Sequence, residues 1–313
     1  MSAAADIACR CCGSVATRSR GVIPDATIFA GRQLEKPLHG GSLHRCTDCG
    51  FVFRHPIYSK AEYDRLYVSG HGTVWDETGR IDQELVRSQL TSVLPEGSVL
   101  DVGCAAGSLL APLARRYRAF GVEINPGAAK IATERGVEVL ASDFEETAAL
   151  PYEFDAVVCC DLIEHVARPL ELLRLLLSKT KPGGCVIVST GNTESWSWRL
   201  AGSRFWYCYL PEHISFVSPE WFAHHAPKLG TKVVGVRRFT YTPRFSPAGR
   251  LLRLAFMGLY RLSPTWYYRV LPRDRQDHIP VGRGITRDHF VVALRKTSVP
   301  SAGTNGAAGG RGE

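Results

Sequence analysis

Residues 98–125 read SVLDVGCAAGSLLAPLARRYRAFGVEIN, and this stretch decides the fold. The apolar residues at 99–102 predict a buried strand, and the small residues at 103–107 predict a turn in which a ligand lies against bare backbone. A short helix and a second strand ending at Glu123 are predicted next. Asp101 and Glu123 stand near the carboxyl ends of two successive strands, where an acidic side chain can bind a ribose. The unit therefore predicts a site for a ribose-containing ligand.

The glycine spacing narrows the choice of ligand. A dinucleotide-binding turn follows G-x-G-x-x-G and seats a pyrophosphate, whereas Ala105 stands here at the position of the middle glycine. The run D-x-G-x-x-x-G from Asp101 to Gly107 instead resembles motif I of the class I S-adenosylmethionine (SAM) dependent methyltransferases. One alternative stays open at this point, that the run only turns a strand into a helix in some other doubly wound protein.

The resemblance covers roughly residues 95–296, about two thirds of the chain. Further strands are predicted at 137–142, 154–160, 185–190, 232–242 and 289–296, and a helix with leucine spacing at 170–179. In this order they imply a Rossmann-like, doubly wound seven-stranded α/β sheet with a reversed last strand, and SAM as the cofactor. The cofactor-binding residues that the resemblance implies are Asp101, Gly103, Cys104, Ala105, Gly107, Glu123, Ile124, Asp143, Phe144 and Asp161.

Two C-x-x-C pairs stand near the amino terminus, and a glycine follows each pair. A two-residue spacer lets both sulfurs of a pair contact one ion, so four thiolates predict a structural, tetrahedral zinc site with no open position. Cys11 and His44 are further candidates for a ligand, and redox-active thiols are the alternative. The predicted zinc ligands are Cys9, Cys12, Cys46 and Cys49.

The length of 313 residues predicts one large domain and a smaller module. We predict a zinc ribbon at 1–58, a helical lid or linker at 59–95 that includes Trp75, and a methyltransferase domain at 96–296 with an amphipathic helical insertion at 243–287. A tail at 297–313, rich in Gly and Ala, is predicted to be disordered. Because neither a long apolar span nor a secretory signal is recognised, the predicted location is the cytoplasm, with peripheral contact to the membrane as an open addition.

Methyl transfer to an oxygen requires alignment of the acceptor and removal of its proton. His213 lies in the sequence LPEHISF, which resembles a P-E-H-x-x-F stretch of small-molecule methyltransferases, and it is the candidate base. Glu212 is a weaker candidate. His165 is also a weak candidate, and the favoured interpretation is that it positions the turn after the fourth strand. The aromatic stretch 196–209 either lines an acceptor pocket or packs in the core.

The sequence leaves several classes of binding partner open. Residues 248–262 predict a helix with leucines on one face and arginines on the other, which contacts an anionic membrane, the active site or a second subunit. The net charge of +8 also suits nucleic acid, and a zinc ribbon before a methyltransferase resembles some ribosomal RNA enzymes. The sequence CDLI at 160–163 replaces the N-P-P-Y type box that such enzymes use on base nitrogens. We therefore predict a methyltransferase acting on a small molecule, a saccharide or a lipid-linked compound, with an rRNA or tRNA enzyme and a non-catalytic SAM-binding scaffold as alternatives.

Overall fold

A computed structural model describes residues 7–29, 32–68, 79–241, 246–263 and 285–297. The lid candidate Trp75, much of the predicted insertion and the predicted disordered tail beyond residue 297 lie outside the described residues. No helix within these ranges is long and apolar enough to cross a membrane.

The described chain alternates strands and helices after a strand-rich amino-terminal part. The strands are β1 (Thr17–Val22), β2 (Ala26–Phe29), β3 (Arg32–Leu38), β4 (Ser42–Cys46), β5 (Val52–His55), β6 (Gly97–Val102), β7 (Tyr117–Val122), β8 (Glu138–Ala141), β9 (Phe154–Cys160), β10 (Thr180–Gly191), β11 (Ser215–Phe216), β12 (Thr231–Phe239) and β13 (His289–Lys296). The helices are α1 (Lys60–Val68), α2 (Ile81–Val93), α3 (Pro126–Glu134), α4 (Phe144–Ala149), α5 (Pro169–Ser178), α6 (Trp196–Ala201), α7 (Trp206–Tyr209), α8 (Pro219–His225) and α9 (Pro247–Leu262).

The central sheet has seven strands in the order β12-β13-β10-β9-β6-β7-β8. Strands β10, β9, β6, β7 and β8 pair in parallel, and β13 runs antiparallel between β10 and β12. This arrangement confirms the predicted Rossmann-like sheet with a reversed last strand. All five parallel strands end at the same edge of the sheet, so the loops that follow them lie side by side.

Helices cover both faces of this sheet, which explains why its central strands are apolar throughout. On β9, Val157 and Cys159 pack in one core with the leucines of α5, whereas Ala156 and Val158 pack in a second core with α2. Polar groups of the central strands are therefore accommodated mainly at the edge where these strands end.

The helix predicted after the glycine turn is only a single turn of 3-10 helix, Ala111–Leu113. Pro112 explains the difference, because proline in the interior of an α-helix removes a hydrogen bond and clashes with the preceding turn. The chain enters β7 four residues after this turn, so a longer helix has no room.

The amino-terminal part packs directly against the fold built on the central sheet. Its sheet has the order β1-β4-β5-β11, and β11 comes from the chain that follows β10. Strands β2 and β3 form a separate hairpin. Phe51 and Phe53 share a hydrophobic core with Trp221 and Phe222 of α8. One sheet is thus built from three strands of the amino-terminal part and one strand that lies more than 150 residues later in the sequence.

Candidate active site

The turn after β6 keeps the backbone at the end of the sheet free of side chains. Gly103 and Gly107 have φ of +82° and +77°, a region that L-residues with side chains rarely adopt. A Cβ on Gly107 would lie 3.1 Å from the Cα of Ala132, so the turn and α3 are in close contact. Ala105 also has a positive φ, of +46°, which is strained because this residue carries a Cβ. The turn therefore leaves bare backbone where β6 ends.

Two acids stand at this turn, as the sequence predicts: Asp101 is buried and Glu123 is half-buried. Glu123 accepts hydrogen bonds from the amides of Ala105, at 2.9 Å, and Asn125, at 2.8 Å, so this carboxylate also fixes the turn. Asp101 is 2% exposed, and its Oδ1 has no hydrogen-bond partner. Burial, together with the charge of Glu123, raises the pKa of Asp101 to about 8. A buried carboxyl oxygen without a partner fits a site whose ligand supplies the missing hydrogen bond.

Apolar side chains stand beside these acids at the ends of the next two strands. Ile124 is 61% exposed and Phe144 is 37% exposed, although both are large and hydrophobic. Asp143 is exposed and caps α4 by accepting from the amide of Glu146 at 2.8 Å. Exposed apolar groups next to acids suit a nucleoside, which has a flat base and a polar sugar.

Asp161 lies where β9 ends, on the other side of the turn. Its φ is +47°, and its carboxylate accepts hydrogen bonds from Arg80 and, at 2.7 Å, from the hydroxyl of Tyr241. Burial raises its pKa to about 6, with Glu164 and Asp82 adding to the shift while Arg80 opposes it. Arg80 precedes α2, so one ion pair connects this helix to the edge of the sheet where the parallel strands end.

A group of buried polar side chains extends from Asp161 over the ends of β9 and β10. Glu164 accepts hydrogen bonds from the hydroxyl groups of Tyr207 and Thr190. The rings of His165 and His213 are 4.8 Å apart, edge to face. The carboxylate of Glu164 and the ring nitrogens of both histidines all lie within 4.8 Å of one another. We call the group formed by Glu164, His165, Tyr207 and His213 the polar chamber.

His213 has the protonation state that a base requires. Its Nδ1 lies 3.1 Å from the carbonyl oxygen of Tyr207 and donates to it, so Nε2 is the acceptor in the neutral ring. Burial, and then the neighbouring His165, lower the pKa of His213 well below the ordinary value. Burial also lowers the pKa of His165. Both rings are therefore neutral at physiological pH.

Sequence reasoning missed an Asp–His pair beside the polar chamber. His289 Nδ1 lies 3.1 Å from a carboxylate oxygen of Asp288, and His289 Nε2 is buried with no hydrogen-bond partner. The ring lies against those of Tyr207 and Tyr241, at 5.1 and 4.6 Å between centroids. Both residues belong to the segment that enters β13, and only the sheet order places this segment next to β10.

The four predicted zinc ligands come together in the amino-terminal part. The Sγ atoms of Cys9 and Cys49 are 3.7 Å apart, those of Cys12 and Cys46 are 3.6 Å apart, and all four lie within 4.8 Å of one another. Four thiolates around one zinc ion, at about 2.3 Å each, are about 3.8 Å from each other, so the donor set fits.

The two pairs are also built alike. The amides of Gly13 and Gly50 donate to the carbonyls of Cys9 and Cys46, and both glycines have positive φ. Of the spare candidates, Cys11 lies beside the cluster and 3.7 Å from the Nε2 of His225. His44 instead forms a hydrogen bond with Ser42 at 2.7 Å and is not part of the cluster.

Comparison with known proteins agrees with this geometry. Residues 79–236 match the model of a methyltransferase domain family. A ubiquinone biosynthesis O-methyltransferase of Ralstonia nicotianae is 31% identical over 169 residues, which cover 50% of this chain and 71% of the relative. The corresponding enzyme of Bordetella pertussis is 33% identical over 159 residues, 46% of this chain and 66% of the relative. A SAM-dependent methyltransferase of Thermotoga maritima, titled a possible histamine N-methyltransferase, aligns over 76% of this chain and 96% of its own, with 22% identity and a TM-score of 0.45.

The fold, the glycine turn and the acids at the strand ends define a class I SAM-dependent methyltransferase. The chain belongs to the methyltransferase domain family that its residues 79–236 match. It is a SAM-dependent methyltransferase, as the sequence predicts.

We expect the stability of the SAM-free protein to depend on pH through Asp101. Because the folded-state pKa lies above that of an ordinary aspartate, the folded protein retains the proton while the unfolded chain loses it. Wild type should thus lose about 1–3 kcal/mol of unfolding free energy relative to Asp101→Asn between pH 5 and pH 7. Urea unfolding of both proteins at the two pH values measures this difference, and identical pH dependence of the two would contradict the assignment.

Proposed function

We propose that this protein transfers the methyl group of SAM to a hydroxyl oxygen of a small molecule that binds in the polar chamber. The observation that supports this most directly is the neutral, buried His213 beside Glu164, next to the cofactor edge of the sheet. Relatives named O-methyltransferases support the choice of oxygen as the acceptor atom. A saccharide acceptor stays a prediction.

The residues of the turn would hold SAM at the ends of β6, β7 and β8. Glu123 is proposed to bind the ribose, Ile124 and Phe144 to flank the adenine beside Asp143, and Asp101 to accept a hydrogen bond from the ligand. Cys104 and the glycines allow close approach of the backbone, and Asp161 faces the methionine end. When bound, SAM supplies a methyl group already activated by its sulfonium.

His213 is proposed as the base that removes the hydroxyl proton of the acceptor. Its Nδ1 is engaged with the carbonyl of Tyr207, so Nε2 can take the proton without a change of tautomer. Glu164, which is buried and accepts from Tyr207 and Thr190, would stabilise the resulting imidazolium. His165 holds the ring of His213 edge-on and is assigned a positioning role.

We expect the cofactor and base roles to separate by mutation. Glu123→Ala should weaken SAM binding at least tenfold in calorimetry, because the ribose loses its acceptor, whereas Glu138→Ala, an exposed matched control on β8, should not.

His213→Ala should bind SAM as wild type does and transfer labelled methyl to a small-molecule extract at least a hundredfold more slowly. Equal turnover of His213→Ala would exclude this base. Label appearing only in RNA would overturn the small-molecule acceptor.

The proposal includes a structural zinc ion held by Cys9, Cys12, Cys46 and Cys49. The sulfur separations and the two similar glycine turns support it. Four protein ligands leave no open position, so the ion would stabilise the amino-terminal sheet and take no part in the chemistry.

We expect one zinc ion per chain in freshly purified protein by elemental analysis. Cys46→Ser should lose the ion and lower the melting temperature, because Cys46 is fully buried among the ligands. Cys185→Ser, at a buried cysteine of β10 outside the cluster, is the control and should retain zinc. Protein without zinc and with unchanged stability in Cys46→Ser would refute the site.

A lipid-linked acceptor is supported by the outer face of α9. Leu251, Leu252 and Leu262 are 70%, 59% and 87% exposed, whereas Met257 is buried against the protein. The helix therefore turns most of its predicted apolar face outward, with exposed arginines at its flank. Exposed leucines beside arginines suit the surface of an anionic bilayer, from which such an acceptor would enter.

We expect the protein to bind vesicles of phosphatidylglycerol and phosphatidylcholine more tightly than vesicles of phosphatidylcholine alone. Leu251→Gln with Leu252→Gln should reduce this binding at least tenfold, since apolar area at the interface is lost. Val234→Gln, at an exposed apolar residue of β12, is the control and should bind as wild type. Co-sedimentation measures the binding, and equal sedimentation of all three proteins would contradict the docking role.

A further inference from the structure

Two arginines of the amino-terminal part donate hydrogen bonds to the main chain around His213. Arg54 lies on β5 and is 1% exposed, and Arg10 is partly buried between the first two cysteines of the cluster. Neither guanidinium forms an ion pair among the described residues. Their charges are balanced instead by main-chain carbonyl dipoles, which makes these contacts specific to one backbone conformation.

Arg54 fixes the chain segment that contains His213. Its Nη2 donates to the carbonyls of Cys208 and Leu210 at 2.6 and 3.0 Å, its Nε to that of His213 at 3.2 Å, and its Nη1 to that of Gly40 at 3.1 Å. Three of these acceptors belong to residues 208–213. The chain leaves α7 at Tyr209 and is irregular from Leu210 to His213, so this guanidinium supplies hydrogen bonds that a helix or sheet would otherwise provide there.

Arg10 connects the cysteine cluster to the same segment. Its Nη2 donates to the carbonyl of Ile214 at 2.7 Å, its Nη1 to that of Arg54 at 2.8 Å and its Nε to that of Ala167 at 3.1 Å. The amide of Ile214 in turn donates to the carbonyl of Glu164 at 2.8 Å. One side chain thus joins the first cysteine pair, β5 and the two main-chain segments that carry Glu164 and His213.

We infer that Arg10 and Arg54 are positioning residues for His213, and that the ion in the cysteine cluster keeps Arg10 in place. The inference rests on the proposed role of His213 and assigns the amino-terminal sheet a part in catalysis. The five donors of arginine lie in one rigid fork, which reaches several carbonyls at once, whereas lysine has one compact ammonium group. Lysine at either position therefore keeps the charge and loses most of these contacts.

The test compares Arg54→Lys and Arg10→Lys with Arg18→Lys, an exposed matched control on β1. Amide hydrogen exchange of residues 207–214 reports the segment without any need for activity. In wild type, the amides of His213 and Ile214 are bonded to the carbonyls of Leu210 and Glu164, so they should exchange slowly. We expect exchange at least tenfold faster in Arg54→Lys and Arg10→Lys, and also in wild type after removal of zinc by a chelator, but not in Arg18→Lys.

Kinetics then separate a positioning role from general loss of structure. With labelled SAM and a small-molecule extract, the maximal rate of Arg54→Lys should fall at least tenfold while the apparent KM for SAM stays within twofold. The pH dependence of its rate should shift, because the environment of His213 changes. Unchanged exchange at 207–214 and an unchanged rate in both variants would overturn the inference.

Two further outcomes are decisive as well. If Arg54→Lys does not fold, Arg10→Lys and chelated wild type decide the question by exchange alone, and slow exchange in both would overturn it. If wild type transfers no methyl group, the proposed function fails, while faster exchange in the variants would still support positioning of the segment by the two arginines.

Discussion

The burial of polar groups at one edge of the sheet is the constraint on which the rest of the structure depends. Helices cover both faces of the central sheet, so the side chains with oxygen and nitrogen atoms concentrate where the parallel strands end. Asp101 and Glu164 are buried there and Asp161 is half-buried, and burial raises the pKa of each of them. Burying a polar group is costly unless the group has hydrogen-bond partners, and the protein provides partners for some of these carboxylate oxygens but not for others.

Buried polar atoms without a hydrogen-bond partner remain on both the cofactor half and the acceptor half of the site. On the acceptor half, Glu164 accepts from Tyr207 and Thr190, and Asp161 accepts from Arg80 and Tyr241 through Oδ2 but leaves its Oδ1 without a partner. On the cofactor half, Asp101 retains an oxygen without a partner, and Ile124 retains an exposed apolar surface. Asp101 and Asp161 thus each retain a buried oxygen to which a ligand could donate a hydrogen bond.

The same principle explains how the amino-terminal part is joined to the enzyme. The amino-terminal part is small, but its strand β5 pairs with β11, and Arg54 of β5 is buried against carbonyls of the segment before β11. A buried guanidinium without a carboxylate needs a full set of carbonyl acceptors. The acceptor side of the active site and the amino-terminal sheet therefore stabilise each other.

The sequence by itself determined the class of fold and the cofactor edge. Apolar strands such as β9 and β13 were predicted with their observed bounds, since both faces of these strands are buried and the signal is local. Gly103, Glu123 and the two cysteine pairs could be proposed from the sequence because each depends on short spacing along the chain. Only the tertiary structure placed Asp288 and His289 beside the polar chamber, turned the leucines of α9 outward, and directed Arg10 and Arg54 to the segment of His213. Those contacts join residues far apart in sequence, and the pairing of strands and the burial of charge that decide them exist only after the chain has folded.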